Sequence, residues 1–284
     1  DDGTMLLCLL CVPPLLGFSS TPGGKAAELI RCALWADSPG CAFPPPPPRF
    51  AVQFECGQYG SFTLGVITEW QPIYATRLWQ LVQLGYYEEN PLYRFDYRNA
   101  TQRFVVQYGA NLLEGVQEVW ERKRAINQST PALVANTRGR LTFAMEAMVC
   151  NTSAESDPCE PYRPACTAED YCAYGGSTQI YINLENNSRL DAHGFAPIGE
   201  ILGDGMKVVE SLGQVIGNRY GEVKELCPLH EADAGVFCIY KNGLRQGVDS
   251  ARLMLPEARE YMKNAFPLMW DRRVRSAKLV EWLE

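Results

Sequence analysis

Residues 104–109 read Phe104-Val105-Val106-Gln107-Tyr108-Gly109, and residues 177–183 read Ser177-Thr178-Gln179-Ile180-Tyr181-Ile182-Asn183. Both stretches are apolar, β-prone runs with one glutamine inside. Because side chains alternate between the two faces of a strand, Val105 and Gln107 are expected on one face of the first run. Phe104, Val106 and Tyr108 are expected on the other face. A glutamine in an apolar strand needs a polar partner, so each run predicts a polar group close by.

Further motifs surround these two stretches. They are Phe62-Thr63-Leu64, Trp70-Gln71-Pro72, residues 77–82, Gly85-Tyr86-Tyr87, Arg189-Leu190-Asp191, residues 194–199 and residues 205–210. Together they resemble the cyclophilin family of peptidyl-prolyl isomerases, from about residue 50 to residue 215 and again at the last strand. The tail motifs Gly247-Val248-Asp249, Tyr261-Met262 and Phe266-Pro267 resemble those of a cyclophilin subgroup with a longer run before that strand.

Apolar periodicity predicts eight strands and two main helices. The strands are expected at residues 51–56, 62–67, 92–97, 104–108, 140–147, 178–184, 195–201 and 277–282. Helices are expected over residues 72–84 and 206–212, with a third over residues 257–265. The expected fold class is mainly β: a closed eight-stranded antiparallel cyclophilin-like barrel capped by two α-helices. Closure suits this count because it leaves no exposed strand edge.

Composition divides the chain into a leading segment and one domain. Residues 1–48 are interpreted as a signal- or targeting-like segment and a proline-rich linker, because residues 5–16 are almost entirely apolar and residues 44–48 are five prolines. The apolar run is too short to span a bilayer. Asp1 and Asp2 stand where a signal has positive charge, so a cloning or translation artefact is the alternative. Residues 49–284 are expected to form a cyclophilin-like domain with a cysteine-rich loop insertion (149–174) and an extended segment before the last strand (222–276).

Eleven cysteines are many for a protein of the reducing cytosol. Four lie in the loop insertion without any C-x-x-C spacing, which favours disulfides over a zinc site: Cys150, Cys159, Cys166 and Cys172. Cys227 and Cys238 are a second candidate pair. Glycosylation sequons begin at Asn99, Asn127, Asn151 and Asn186. These features favour a glycoprotein of the secretory pathway, in the ER lumen or outside the cell. Free thiols in an intracellular protein, and an organelle reached by bipartite targeting, are the alternatives.

Charge and composition exclude several function classes. The net charge of -7 and the lack of a basic stripe argue against a nucleic-acid partner. With His193 and His230 as its two histidines, the chain gives little support to a Ser-His-Asp or Cys-His hydrolase. No metal or cofactor is expected. The expected partners are proline-containing peptide or protein segments.

The resemblance implies a set of peptide-binding residues. Phe104 corresponds to the aromatic wall of a proline pocket, and Gln107 to the residue that steadies a catalytic arginine. The other implied substrate-binding residues are Val105, Ala144, Gln179, Ile180, Tyr181, Leu190 and Phe195. Tyr181 stands where the family usually has Phe, and Phe195 or Gly194 replaces a pocket histidine. The alternative for the apolar members is a plain core role, and for Gln107 a satisfied strand glutamine.

The position of the catalytic arginine departs from the family pattern. The family places it five residues before the pocket phenylalanine, which here is Asn99, whereas Arg98 is six and Arg94 ten residues before Phe104. A one-residue insertion in the loop favours Arg98. The alternative is a surface arginine and an inactive barrel. Arg189 stands where many members have the tryptophan that binds cyclosporin, so sensitivity to this drug is expected to be poor.

Three functions remain open from the sequence. The first is a peptidyl-prolyl cis-trans isomerase that acts on X-Pro bonds of proteins and assists folding. The second is a catalytically weakened cyclophilin-like binding or scaffold module in a larger assembly. The third is a disulfide-rich secreted binding protein on an unrelated β fold, which predicts no helix between strands two and three.

Overall fold

The computed structural model describes residues 22–92, 94–99, 102–127, 130–151, 156–218, 236–239, 244–248 and 271–282. Its α-helices are α1 (Pro22–Leu34), α2 (Pro72–Gln83), α3 (Val116–Arg124) and α4 (Gly205–Asn218). Its first six strands are β1 (Arg49–Glu55), β2 (Ser61–Ile67), β3 (Arg94–Asn99), β4 (Gln102–Tyr108), β5 (Arg140–Phe143) and β6 (Glu146–Val149). The others are β7 (Tyr171–Tyr174), β8 (Ile180–Asn183), β9 (Pro197–Ile201), β10 (Val236–Ile239), β11 (Leu244–Val248) and β12 (Ser276–Val280).

The strands form one large antiparallel sheet and a separate hairpin. Ten strands pair in the order β10-β11-β3-β4-β8-β5-β9-β2-β1-β12, and β6 pairs with β7 alone. The prediction of a closed eight-stranded barrel is therefore wrong, both in strand count and in closure within the described part of the chain. In a closed barrel of the predicted strands, the free edge of β3 would pair with β12 at the other end of the sheet. In the structure this edge of β3 pairs with β11 instead. Among the described residues, an isolated bridge from Asn90 to Val274 joins the chain before β3 to the chain just before β12.

Helix α2 packs against the sheet as its apolar spacing predicts. Tyr74, Leu78 and Leu81 are all buried, each three or four residues from the next along one helix face. They join a continuous core with buried residues of β1 and β2, among them Phe54 and Leu64. Burying a side chain of this size contributes about 1.5–3 kcal/mol. A helix between strands two and three is the opposite of what the unrelated β fold predicts.

Helices α1 and α3 were not predicted, and they pack on each other. The side chain of Leu29 in α1 is fully buried, and Trp120 in α3 donates its indole N–H to the Leu29 carbonyl oxygen at 3.1 Å. Cys32 and Cys41 form a disulfide at the end of α1 and belong to the same core as the sheet. Residues 22–34, assigned from composition to the leading segment, thus contribute to the core, while the division at residue 48 stays a prediction.

The cysteine-rich insertion is a stapled hairpin. The run predicted as one strand over residues 140–147 is divided into β5 and β6, and β6 turns away to pair with β7. Disulfides Cys150–Cys159 and Cys166–Cys172 close the insertion, as expected for a long loop that would otherwise be costly to order.

Two other sequence predictions concern parts of the chain that the structure does not describe. The predicted helix over residues 257–265 and the side chains of the candidate pair Cys227 and Cys238 lie outside the described residues. Among the described helices, none has the length and apolar character needed to cross a bilayer.

Candidate functional site

A cavity of about 480 Å³ opens where the two glutamine-containing stretches meet. They form β4 and β8, which pair antiparallel with Gln107 opposite Tyr181. Helix α3 contributes Glu121 to another wall, and the hairpin β6–β7 contributes Glu146 and Tyr174. A concave site of this size, with apolar and polar groups on different walls, is typical of small-ligand binding.

One end of the cavity is apolar. Phe104, Val105, Tyr181, Leu190 and Phe195 pack together there. The rings of Tyr181 and Phe195 meet edge to face with their centroids 6.2 Å apart. This end provides a shallow apolar surface of the kind that accepts a small ring.

Phe104 does not follow the expected alternation. It packs beside Val105 in the cavity cluster, whereas Val106 and Tyr108 lie in the main core. The reason is an irregular register between β3 and β4: Phe95 pairs with Val106, but Tyr97 pairs with Arg103. The β4 side of this interval has one residue more than the β3 side, which is a β-bulge, and a bulge re-aims side chains that a regular strand would alternate.

The other end of the cavity is a relay of polar side chains. Arg94 donates from Nη1 to Gln107 Oε1 at 3.2 Å, and Gln107 donates from Nε2 to Gln179 Oε1 at 3.0 Å. Gln179 in turn donates from Nε2 to Glu121 Oε1 at 2.7 Å. The relay crosses from β3 through β4 and the residue directly before β8 to helix α3. Each glutamine thus has the polar partner that its apolar strand required.

Arg94 is the arginine that the structure describes at the cavity. It pairs in register with Gln107 across β3 and β4, and its guanidinium carbon lies 5.8 Å from the centroid of the Phe104 ring. Arg98 also lies in β3, but it is the extra residue of a bulge between Tyr97 and Asn99. Its backbone is four positions further along the strand, about 13 Å away from the Arg94 position. The side chain of Arg98 lies outside the described residues, so its assignment stays a prediction.

The structure brings most of the sequence-predicted site residues to this cavity. Those that line it are Phe104, Val105, Gln107, Ala144, Gln179, Tyr181, Leu190 and Phe195. Ile180 does not line it: the strand alternation of β8 turns its side chain into the main core, where it is 1% exposed. The sequence-based assignment of Ile180 to the pocket is therefore corrected to a core role.

Glu121 is a site residue that the sequence analysis missed. Removal from water raises the pKa of its carboxyl group, and nearby Glu146 acts in the same direction, while hydrogen bonds from Gln117 and Gln179 oppose the shift. Its helix was not predicted because the segment is short and mostly polar. The one available signal was Trp120, an apolar anchor directly before it.

Asn136 is a second missed residue, and it explains the tyrosine at position 181. The Tyr181 hydroxyl donates to Asn136 Oδ1 at 3.2 Å, and Thr142 Oγ1 donates to the same oxygen at 2.8 Å. Asn136 Nδ2 donates to Asp191 Oδ1 at 2.8 Å and to the Phe195 carbonyl oxygen at 2.7 Å. This buried network holds the floor of the apolar end, and burial raises the pKa of Tyr181.

The stapled hairpin supplies aromatic side chains to the cavity. Tyr171 and Tyr174 of β7 line it, and the Tyr174 hydroxyl donates to Glu146 Oε2 at 2.7 Å. The ring of His193 stacks on Tyr171 with centroids 3.8 Å apart, which fixes the hairpin against the turn that carries Leu190. The insertion is thus a wall of the cavity.

The sulfur atoms of Cys150, Cys159 and Cys172 lie within 4.8 Å of one another in this hairpin. All three are held in disulfides and offer no thiolate to a metal ion. The cavity itself combines a donor-only guanidinium, amides and an apolar surface, which together can bind a peptide segment with its carbonyl groups towards Arg94.

In comparisons with known proteins, similarity to this chain is found among solved structures and not among family models or curated proteins. No family model matches the chain, and no curated protein matches it. A cyclophilin type peptidyl-prolyl cis-trans isomerase of Cryptosporidium parvum is similar at 13% identity and a TM-score of 0.39, with 57% of this chain and 83% of that chain covered. The same isomerase in the presence of the dipeptide Ala-Pro is similar at 12% identity and a TM-score of 0.38, with the same coverage. Values this low transfer no activity to the chain.

Proposed function

We propose that this protein is a peptidyl-prolyl cis-trans isomerase that acts on X-Pro bonds in proteins and assists their folding. The supporting observation is the pairing of Arg94 with Gln107 at the edge of an apolar cluster that contains Phe104 and Leu190. A ring-sized apolar surface beside a fixed cation is what the reaction requires.

The reaction is rotation about an amide bond, with a barrier of about 18–20 kcal/mol because conjugation must be broken. It therefore needs no nucleophile, metal or cofactor. A catalyst holds the proline ring, leaves the preceding carbonyl free to turn, and directs a hydrogen-bond donor at the twisted amide. The twisted amide nitrogen regains its lone pair, so a donor there stabilises the transition state more than the planar substrate.

Arg94 is suited to supply that donor. Its guanidinium is a planar group that only donates, and one of its N–H groups donates to Gln107. The amide of Gln107 orients the guanidinium plane while the ring of Phe104 lies below it at 5.8 Å. In this arrangement the proline ring packs on Phe104 and the prolyl nitrogen faces Arg94.

The two candidate arginines are tested by measuring kcat/KM for a prolyl peptide with Arg94→Ala and Arg98→Ala. We expect Arg94→Ala to lower kcat/KM about 100- to 1000-fold, as for removal of one transition-state donor, and Arg98→Ala to leave it unchanged. Arg103→Ala is the matched control, because Arg103 is on the same hairpin and pairs with Glu210 at 3.5 Å outside the cavity. A large loss in Arg98→Ala alone would reassign the donor to Arg98. A wild type no faster than buffer would refute the isomerase.

A second candidate function is a binding or scaffold module with weakened catalysis. Arg189 favours it, because its guanidinium carbon lies 4.7 Å from the centroid of the Phe104 ring, on which the proline ring would have to pack. Calorimetry with the dipeptide Ala-Pro separates the two functions. Binding without rate acceleration supports the module, and binding with acceleration supports the enzyme.

We also propose that the protein works in the secretory pathway, with bipartite targeting to an organelle as the alternative. Disulfides Cys32–Cys41, Cys150–Cys159 and Cys166–Cys172 support an oxidising compartment. The sequon residues Asn127, Asn151 and Asn186 are exposed and accessible to a glycan. Intact mass of protein from the native host, before and after reduction and deglycosylation, tests this. A fully reduced, unglycosylated protein would contradict it.

A further inference from the structure

Helix α3 carries a carboxylate that ends the relay at the cavity. We propose that Glu121 is a positioning residue: it determines which way the amides of Gln179 and Gln107 face, and so presents the Gln107 carbonyl oxygen to Arg94. This inference rests on the proposed isomerase function, because it assigns a residue to the same site.

The argument follows from what each group can donate and accept. An amide side chain can face either way, since it has one accepting end and one donating end. An ionised carboxylate only accepts, so Gln179 must turn its NH2 group towards Glu121 and its oxygen towards Gln107. Gln107 must then turn its NH2 group towards Gln179 and its oxygen towards Arg94, which only donates. The two ends of the relay therefore require the same direction, and reversal would oppose Gln107 N–H groups to the guanidinium.

Glu121 is itself held in place by a second glutamine. Gln117, one turn earlier in α3, donates from Nε2 to Glu121 Oε1. The orientation of Gln117 is fixed because its Oε1 accepts the Asn111 backbone N–H at 2.9 Å and the Tyr86 hydroxyl at 2.6 Å. Gln117 is 1% exposed, so this anchor belongs to the rigid interior. Glu121 thus connects the buried side chain of Gln117 to Gln179 in the cavity.

Protonation of Glu121 removes the direction of the relay, because a carboxylic acid also donates. Burial raises the pKa of Glu121 above its ordinary value. The groups that face it are Gln117 on α3, Gln179 directly before β8, Glu146 on the hairpin and Tyr86 after α2. Glu146 raises this pKa further, and Arg94 lies at the other end of the relay. Activity is therefore expected to be full above the raised pKa and to fall as the pH drops through it.

The kinetic test compares Glu121→Gln with Glu118→Gln. Both variants remove one negative charge from α3, but Glu118 is only partly buried and pairs with Arg122 at 3.0 Å, away from the relay. We expect Glu121→Gln to lower kcat about ten- to a hundredfold, the loss that follows a misplacement of about 1 Å, with little change in KM. The variant should also lose the acidic limb of the pH profile, while Glu118→Gln keeps it. Equal kinetics and pH profiles for both variants would overturn the proposal.

A spectroscopic test separates this inference from the proposed function. The side-chain amide resonances of Gln179 and Gln107 in the 15N-labelled protein are followed against pH. We expect both to shift together in a single transition that disappears in Glu121→Gln and persists in Glu118→Gln. If the chemical shifts of these amides do not change with pH in the folded wild type, the positioning role is overturned, even in an active enzyme. A normal amide titration in a protein without isomerase activity would refute only the proposed function.

A double variant tests whether Glu121 acts through Gln179, and spectroscopy checks that each variant is folded. If Glu121 acts through Gln179, the kinetic effect of Glu121→Gln should be absent in a Gln179→Ala background. Additive losses in the double variant would indicate that the carboxylate acts on the site by another route and would overturn the relay. Far-ultraviolet circular dichroism and the unfolding midpoint are recorded for each variant, and the helix content should match the wild type.

Discussion

A single glycine permits the close approach of the two strands that build the site. Gly109 has a φ of +108°, and a Cβ atom there would lie 2.4 Å from the Thr178 carbonyl oxygen and 2.5 Å from the Gln179 Cα atom. Both of these are backbone atoms and cannot rotate away. The Gly109 N–H is held by Asn90 Oδ1 at 2.7 Å. The spacing between Gln107 and Gln179 therefore depends on a residue without a side chain.

We expect Gly109→Ala to destabilise the protein by more than the roughly 1–3 kcal/mol of backbone strain alone, because strain and a backbone clash add. The relay hydrogen bond from Gln107 to Gln179 should lengthen, so kcat should fall as well. Urea unfolding and the isomerase assay measure the two effects.

Gly203→Ala is the control for this variant. Gly203 has a φ of +52°, and a Cβ atom there would meet nothing within 4 Å. It should cost only about 1–2 kcal/mol and leave kcat unchanged. Equal destabilisation of the two variants would contradict the clash.

For single residues, the sequence indicates which residue types belong to the site better than it indicates where their side chains point. Gln107 and Gln179 are recognisable because a glutamine inside an apolar strand requires a partner. The inward turn of Phe104 is not predictable, because it depends on a bulge in the β3–β4 ladder. The contribution of Arg94 was missed because ten residues separate it from Phe104, and its register position opposite Gln107 brings it to the cavity.

Among the elements, the hairpin β6–β7 is the one whose position matters most for the cavity. Among the described strands it pairs with none of the large sheet, and its two disulfides restrict it locally. The sequence predicts the cysteine-rich loop and its disulfides, because four cysteines without zinc spacing lie close together. It does not predict that the loop brings Tyr171 to the site, since this depends on stacking against His193. Helix α3 escapes prediction because tertiary contacts, rather than its own apolar face, stabilise it.

We expect the paired change Cys166→Ser and Cys172→Ser to loosen this hairpin. The bridge closes a short loop, so its loss should cost about 2 kcal/mol locally. Because Tyr171 and Tyr174 line the cavity, KM for a prolyl peptide should rise while kcat changes less. Hydrogen exchange across residues 171–174 should speed up.

The matched control is Cys32→Ser with Cys41→Ser, which removes a bridge of similar loop length at the end of α1. This pair should leave KM and the exchange of the hairpin unchanged. If KM rises in the control and stays unchanged in the hairpin variant, the hairpin does not contribute to peptide binding.

Over the whole molecule, the leading segment and the candidate site are connected. Helix α1 packs on α3, and α3 carries Glu121 into the cavity. The sequence predicts a mainly β fold with a helix between strands two and three, and the structure confirms both. It does not predict this connection, because the run of prolines between α1 and β1 reads as a spacer. The open sheet is likewise not predictable, since β11 comes from a segment without a clear strand pattern.

We expect Leu29→Ala to destabilise the protein by about 2–5 kcal/mol, because the side chain is fully buried in the core that also contains Trp120. It should also lower isomerase kcat, since α3 loses its support. Leu34→Ala is the control: Leu34 is on the same helix but 42% exposed, and its loss should cost less than about 0.5 kcal/mol. Thermal unfolding measures the loss of stability in both variants. A small effect of Leu29→Ala on unfolding would argue that α1 is dispensable.

The proline run lies along the domain, with the Pro44 carbonyl accepting the Trp79 indole N–H at 2.9 Å and the Pro47 carbonyl accepting the Thr68 hydroxyl at 2.7 Å. Both cysteines of the first bridge, Cys32 and Cys41, come before it. No covalent link in the described residues therefore joins α1 to the sheet except the backbone itself. Cleavage of the backbone within this stretch would therefore leave α1 attached to the sheet by noncovalent contacts alone.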